Sequence, residues 1–257
     1  MTKLEILKND IKKFGNLAVA FSGGVDSSLL AKLANDVLGE KAVAITIKSP
    51  YMSAREIDEA VEFCKIYNIK HEILELGILE DITDNPKDRC YICKKSVFAQ
   101  LMKRACELGF TNIADGTNAD DLGEYRPGLK AKDELGVLSP LKNLSKVDIR
   151  ELSRELNLPT HDKPSYACLL TRLPHGHKFN PSDLALIEKV ENLLIKNGYK
   201  NIRARFDGKS IKLQMSGIDM ARFTADDKFK PIIKEINAMG ELQILLDLKG
   251  LREEILK

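Results

Sequence analysis

Neither sign of charge dominates this chain. Forty basic residues stand against 38 acidic ones for a formal charge of +2, so the global balance gives no sign of a nucleic-acid surface, and nucleic acid is not an expected partner. No apolar run approaches the roughly 18 residues of a spanning helix. The opening MTKLEILKNDIKKFG lacks the long apolar core and small-residue cleavage site of a secretory signal, so cytoplasmic residence without a membrane partner is the expectation. Five cysteines, an odd number in a chain large enough to fold without staples, argue against a disulfide framework and leave burial, metal or sulfur chemistry. No repeat of 20 to 50 residues and no low-complexity tract appears.

With 257 residues, 44% of them apolar, the chain can bury a full core and has room for a second, smaller domain. A helical period ends before Gly15. Leu17 to Phe21 then reads as a buried strand, followed by two glycines and an apolar-periodic helix beginning near Ser27. Strands are expected at 42–47, 70–76 and 112–115, and helices at 54–67, 93–108 and 145–156 with Ser145 as cap. From Gly116 to about Gly136 the glycines, prolines and aspartates read as loop. Alternating strands and helices, with strands apolar on both faces, predict an α/β fold: a parallel sheet covered on both sides, with ligand loops at the strand C-terminal ends. Beyond a proline- and histidine-rich stretch at 159–176, a helix (181–197), a hairpin turning at Asp207-Gly208, a helix (228–239) and a strand (242–248) form a small α+β unit. The domains are therefore read as 1–177 and 178–257.

The loop after the first strand is Ser22-Gly23-Gly24-Val25-Asp26-Ser27-Ser28. Gly23 and Gly24 bare the backbone amides to phosphate oxygens, and the following helix adds its N-terminal dipole. Ser22, Ser27 and Ser28 offer hydroxyls, and Asp26 can hold Mg2+. A glycine turn with a serine cap is the bland alternative. The whole segment resembles the loop of the PP-loop ATP pyrophosphatases, which implies ATP cleaved to AMP and pyrophosphate through an adenylated intermediate. The lysine of the GxxxxGK[ST] phosphate loop is absent, which speaks against kinase or GTPase chemistry. A second segment, Asp115-Gly116-Thr117-Asn118-Ala119-Asp120-Asp121, follows the fourth strand and would face the same crevice. Gly116 and Asp120 are assigned to ATP, against the alternative of an acidic loop with Asx turns.

Cys64 and Cys106 sit among apolar neighbours of predicted helices and read as buried small hydrophobes. Cys90 and Cys93, in Arg89-Cys90-Tyr91-Ile92-Cys93-Lys94-Lys95, lie beside cations of the kind that favour thiolates. Metal ligation, dithiol redox chemistry and turn packing compete for them. Since a CxxC supplies only two ligands, Cys168 is the candidate third. Its segment, Lys163-Pro164-Ser165-Tyr166-Ala167-Cys168-Leu169-Leu170-Thr171-Arg172, suits a reactive or a buried thiol equally. Three thiolates on a cubane cluster would leave one iron open to exogenous sulfide.

Taken together, SGGVDSS (22–28), RCYICK (89–94), GTNADD (116–121), RPG (126–128), SPL (139–141), KPSYACLLTR (163–172) and IRAR (202–205) resemble the LarE family of ATP-dependent sulfurtransferases over nearly the whole chain. The resemblance implies that ATP adenylates a carboxylate of a carboxylated pyridinium mononucleotide, and that sulfur displaces AMP to leave a thiocarboxylate used in nickel-pincer nucleotide cofactor synthesis. In one branch of the family a cysteine matching Cys168 gives up its own sulfur. In another, two additional cysteines matching Cys90 and Cys93 accompany a [4Fe-4S] cluster that delivers sulfide or sulfur from another donor. This chain resembles the second branch, with Cys90, Cys93 and Cys168 as ligands. The resemblance further implies substrate contacts from Arg203, Arg205 and Glu191, and self-association into a homo-oligomer. Arg172, four residues after Cys168, is placed with Cys168 and Asp26 in the catalytic set, against the alternative that it pairs with an acidic side chain. At Glu124-Tyr125 the chain departs from the family pattern, where a further aspartate is expected. A PP-loop tRNA thiolation enzyme is the rival reading, and sulfur storage with ATP as a conformational ligand is the rival from another class.

Overall fold

The computed structural model describes residues 1–122, 127–227 and 229–251. The chain divides into two compact units, one of residues 1–82 and 88–166, the other of residues 83–87 and 167 onward.

In the first unit the elements run α1 (Lys3–Lys13), β1 (Leu17–Ala20), α2 (Val25–Leu38), β2 (Ala42–Lys48), α3 (Ala54–Ile66), β3 (His71–Glu75), α4 (Arg89–Glu107), β4 (Ile113–Ala114), α5 (Ala119–Leu122), α6 (Pro127–Glu134) and α7 (Lys146–Glu155). The four strands pair in parallel in the order β3-β2-β1-β4, with Val19 opposite both Ala44 and Ala114. This is the expected α/β architecture. Alternation along the strands separates two cores. Leu17, Val19, Phe21, Ala42 and Ala44 pack with residues of α1, α2, α3 and α7 on one face. Ala18, Val43 and Ile45 pack with Phe98, Leu101 and Ala105 of α4 on the other. Both faces of β1 and β2 are thereby buried, which is why these strands read as unbroken apolar runs.

The ends of the helices follow local chemistry. Thr2 and Ser145 cap α1 and α7 through reciprocal capping boxes with Glu5 and Asp148. Two expectations need correction. Helix α4 begins at Arg89, four residues before the apolar period made it visible, so Cys90 and Cys93 lie within the helix. The stretch read as loop from Gly116 to Gly136 contains α5 and α6. Pro127 there is the first helical residue, where its missing N–H costs nothing. Glu124 and Tyr125, where the family pattern is interrupted, lie outside the described residues.

The second unit contains a 3-10 turn (Leu169–Arg172), α8 (Pro181–Lys196), β5 (Ile202–Phe206), β6 (Ser210–Met215), α9 (Gly217–Thr224), α10 (Phe229–Asn237) and β7 (Gln243–Leu246). Asn180 and Pro181 start α8 with a capping box and a proline at the first position. β5 and β6 form the expected hairpin, Ala204 opposite Leu213, and β7 joins β6 in parallel. A parallel neighbour requires a crossover, which α9 and α10 supply. Helix α9 was not expected from sequence. Its start is set by Ser216, whose hydroxyl accepts from the Asp219 amide at 3.0 Å.

The boundary read at residue 177 compares with a division between Tyr166 and Ala167. Asn85 accounts for the early segment's allegiance. Fully buried at φ 46°, it donates from Nδ2 to the carbonyls of Leu173 at 3.1 Å and Pro174 at 2.8 Å.

Candidate active site

In an open parallel sheet, ligands collect where neighbouring strands send their connections in opposite directions. With the order β3-β2-β1-β4, that place lies between β1 and β4, and the two loops singled out in the sequence leave from these strands. They pack closely. A Cβ on Gly116 would stand 2.9 Å from the Asp26 Cβ and 3.0 Å from the Ser27 backbone nitrogen, so only glycine fits without displacement. Asn118 Nδ2 donates to Asp26 Oδ1 at 3.1 Å.

Gly24 stands at the N-cap of α2, and no side chain caps the helix, in contrast to α1, α7 and α8. Its first-turn amides and dipole are therefore available to an anion. Ser27 shapes the loop from within. Its hydroxyl accepts from the Ser22 amide at 3.2 Å, lies 3.1 Å from the Ser22 hydroxyl and reaches the Gly24 carbonyl at 3.2 Å. Ser28 is fully buried, and its hydroxyl has no hydrogen-bond partner among the described residues. Gly23 takes φ +68°, and α3 approaches so closely that an added Cβ would meet the Ala60 Cβ at 3.2 Å.

Sequence reasoning missed Lys146. Its ammonium lies 2.7 and 2.5 Å from the two Asp26 oxygens, and its amide donates to Asp120 Oδ2 at 2.9 Å. One residue at the start of α7 thus joins both loops. The available signal was its place directly after the helix-capping Ser145, but a lysine at a helix start carries no rule of its own. Lys132 was missed as well. Its side chain is 2% exposed, and its ammonium lies 2.5 Å from the Ser139 hydroxyl and 3.5 Å from Asp115. Asp115 also accepts from the hydroxyls of Ser139 at 2.8 Å and Thr117 at 2.6 Å. These buried polar groups satisfy one another and fix the end of β4 where the second loop begins.

The cysteines fall into distinct environments, and none forms a disulfide. Cys64 is buried, and desolvation pushes its thiol up to about 12, as fits a core residue. Cys106 is exposed rather than buried as expected, because it faces outward near the end of α4. Cys90 is exposed and Cys93 partly so. Three residues apart on α4, the two share one helical face. Cys106 lies thirteen residues beyond Cys93, roughly 20 Å along the helix axis, too far to join them at one centre. Cys168, partly exposed, belongs to the second unit and precedes its 3-10 turn. Among the described residues no group of three or more His, Cys, Asp or Glu side chains is arranged to hold a metal ion.

Within the second unit, Arg172 and Glu191 form a buried bidentate pair with Nε–Oε1 at 2.8 Å and Nη2–Oε2 at 3.1 Å. Glu191 Oε1 also accepts from the Ala204 amide at 2.9 Å, while Arg172 Nη1 donates to the Ala167 carbonyl at 2.7 Å and lies 3.4 Å from that of Cys168. Removing one partner of such a pair costs on the order of 3–5 kcal/mol, because the other charge is left buried. Arg172 therefore fixes the backbone that carries Cys168. Arg203 and Arg205 alternate with buried Ile202, Ala204 and Phe206 and so share the opposite face of β5. Arg205 reaches Gln214 Oε1 at 2.5 Å and the Thr171 carbonyl at 3.0 Å, tying β5 to the turn after Cys168.

Comparison with known proteins agrees with this arrangement. Residues 2–107 match the family described as NAD synthase. An uncharacterized protein of Synechocystis is 36% identical over 97% of this chain and 94% of its own length. The pyridinium-3,5-bisthiocarboxylic acid mononucleotide synthase of Lactiplantibacillus plantarum is 30% identical over 98% of this chain and 92% of its own. The tRNA-specific 2-thiouridylase MnmA of Rickettsia felis, 30% identical, aligns with only 59% of this chain and 53% of its own length. No helix among the described residues is long and apolar enough to cross a membrane. A parallel sheet with its glycine loop at the place where the strand connections diverge, and similarity sustained over nearly the whole chain, place this chain in the LarE family of ATP-dependent sulfurtransferases within the PP-loop superfamily.

Proposed function

We propose that this enzyme adenylates a carboxylate of a carboxylated pyridinium mononucleotide with ATP, releases pyrophosphate, and then forms a thiocarboxylate as sulfur displaces AMP. The observation that carries the reading is the junction of the two loops, where Gly116 packs on Asp26 beside the uncapped start of α2. The amides there bind phosphate oxygens. Asp26 and Asp120 are the oxygen ligands suited to Mg2+, with Lys146 neutralising Asp26 until the metal–nucleotide complex arrives. Activation as an acyl-adenylate provides a good leaving group for a soft sulfur nucleophile. Arg203 and Arg205, on one face of β5, supply positive charge for the substrate phosphate or carboxylates. Arg172, braced by Glu191, presents the Cys168 segment.

In this proposal Cys90, Cys93 and Cys168 hold a [4Fe-4S] cluster. The fit rests on their donor chemistry: three soft sulfur ligands, each at least partly exposed, two of them one helical turn apart, in contrast to the sequestered Cys64. A cubane held by three thiolates supplies one open iron for an exogenous sulfide. The test is anaerobic turnover with ATP, magnesium, the dicarboxylated pyridinium mononucleotide and sulfide. The expected result is equal release of AMP and pyrophosphate, dependent on the mononucleotide, with sulfur replacing oxygen in the product by mass spectrometry. Pyrophosphate release without sulfur incorporation would overturn the sulfur transfer and leave the adenylation. No pyrophosphate release would overturn both.

A further inference from the structure

Helix α7 places Lys146 and Arg150 one turn apart on the same face. Lys146 holds Asp26, and Arg150 donates to the carbonyls of His161 at 2.5 Å and Lys163 at 3.0 Å. Lys163 in turn reaches the phosphate loop. Its ammonium donates to the Gly23 carbonyl at 2.8 Å and pairs with Glu59 of α3 at 2.6 Å. Glu59 also binds Arg55 at 2.8 Å, and Arg55 lies over the Tyr166 ring at 4.7 Å. Residues 161–166 are therefore a strap held by both α7 and α3, ending just before the second unit and Cys168. Burial disfavours the Glu59 carboxylate, yet Lys163 and Arg55 outweigh burial and keep it below its ordinary range.

The physical consequence lies in one peptide plane. The carbonyl of Gly23 and the N–H of Gly24 belong to the same rigid amide and point in opposite directions. Gly23 lies in the left-handed region at φ +68°, where the backbone gets no steric help from a side chain in choosing its orientation. A cation on the carbonyl therefore decides where the Gly24 amide points. That amide, at the uncapped start of α2, makes among the described residues only a long 3.4 Å contact to the Ser22 hydroxyl.

We propose that Lys163 is a positioning residue of the nucleotide site, whose ammonium locks the Gly23–Gly24 peptide with its amide turned toward the phosphates. It acts through the backbone and does not touch the nucleotide, and Glu59 holds it in place. The inference rests on the reading that this loop binds ATP. It assigns to the Lys163–Pro164 strap a task in ATP binding in addition to its place before Cys168.

The test is calorimetric titration of native protein, Lys163→Met, Lys163→Arg and Glu59→Gln with magnesium and ATP, pyrophosphate or AMP. A charge-assisted hydrogen bond lost at the loop corresponds to about tenfold or more in affinity. Lys163→Met is expected to weaken ATP and pyrophosphate by that factor and to change AMP by less than about threefold, since only the loop's phosphate contacts depend on the bond. Lys163→Arg, which keeps charge and donors, should recover most of the loss. Glu59→Gln, which leaves the lysine in place but loosens it, should show a smaller loss with the same ligand pattern and decides the matter if Lys163→Met does not fold. Unchanged ATP affinity in the folded variants, or equal weakening of all three ligands, would overturn the role of Lys163. Native protein that binds neither ATP nor pyrophosphate would overturn the nucleotide reading itself.

Discussion

Substituting Gly116 by alanine adds one methyl group where the loops after β1 and β4 meet, the proposed nucleotide site. That methyl would stand 2.9 Å from the Asp26 Cβ and 3.0 Å from the Ser27 nitrogen, whereas ordinary contact begins near 3.4 Å. The loops must then part by about half an ångström, and no rotamer change relieves the contact because both neighbours are backbone or Cβ atoms. Overpacking of this kind costs about 1–3 kcal/mol, or roughly 2–12 °C in melting temperature for a chain of this size. The displaced groups are Asp26 and the first turn of α2, so chemistry suffers with stability. A shift of half an ångström at phosphate ligands is expected to lower kcat/KM for ATP by about ten- to a hundredfold. Thermal melting and a pyrophosphate-release assay measure the two effects, with Gly77→Ala as control because a Cβ there meets nothing within 4 Å. If Gly116→Ala matches Gly77→Ala in both measurements, the close packing of the two loops is not what forms the site.

Protein reconstituted with iron and sulfide without oxygen should hold about four irons per chain. Cys90→Ala, Cys93→Ala and Cys168→Ala should each lose them, and Cys106→Ala, roughly 20 Å from Cys93 along α4, should not. Retention of iron in all of the first three would refute cluster ligation and turn attention to loss of sulfur from Cys168 itself. The β5–β6 hairpin should show a pH signature. Asp207 accepts from the amides of Lys209 and Ser210 and from the Ser210 hydroxyl, which hold its carboxyl down at about 2. A depressed folded-state value stabilises above the unfolded value near 3.9 and loses that contribution as pH falls toward about 2. Denaturant midpoints across that window should fall less steeply in Asp207→Asn than in native protein.

How much of this was legible in sequence depended on the range of each signal. The fold of the first unit could be read because both faces of its central strands are covered, which leaves unbroken apolar runs, and because Ser145 marks a helix start. The SGGVDSS loop was legible as a strand-to-helix turn because two glycines stand between an apolar strand and an apolar-periodic helix. The early start of α4 was hidden because its first two residues are a charged arginine and an exposed cysteine, which extend no apolar period. Helices α5 and α6 were hidden because their aspartates, glycine and proline are also loop residues.

By itself the sequence determined the alternation of strands and helices and the glycine loop between β1 and α2, which rest on neighbours within one turn or one strand. Only the tertiary structure decided that Lys146 would neutralise Asp26, 120 positions away, that Lys163 would reach Gly23, 140 away, and that Arg172 would find Glu191 rather than solvent. Such partners are chosen by strand order and helix packing, which bring distant charges together, almost fully out of water at Arg172 and Glu191 and partly so at Lys146 and Asp26. A lysine or arginine in the sequence does not reveal which carboxylate or carbonyl it will meet.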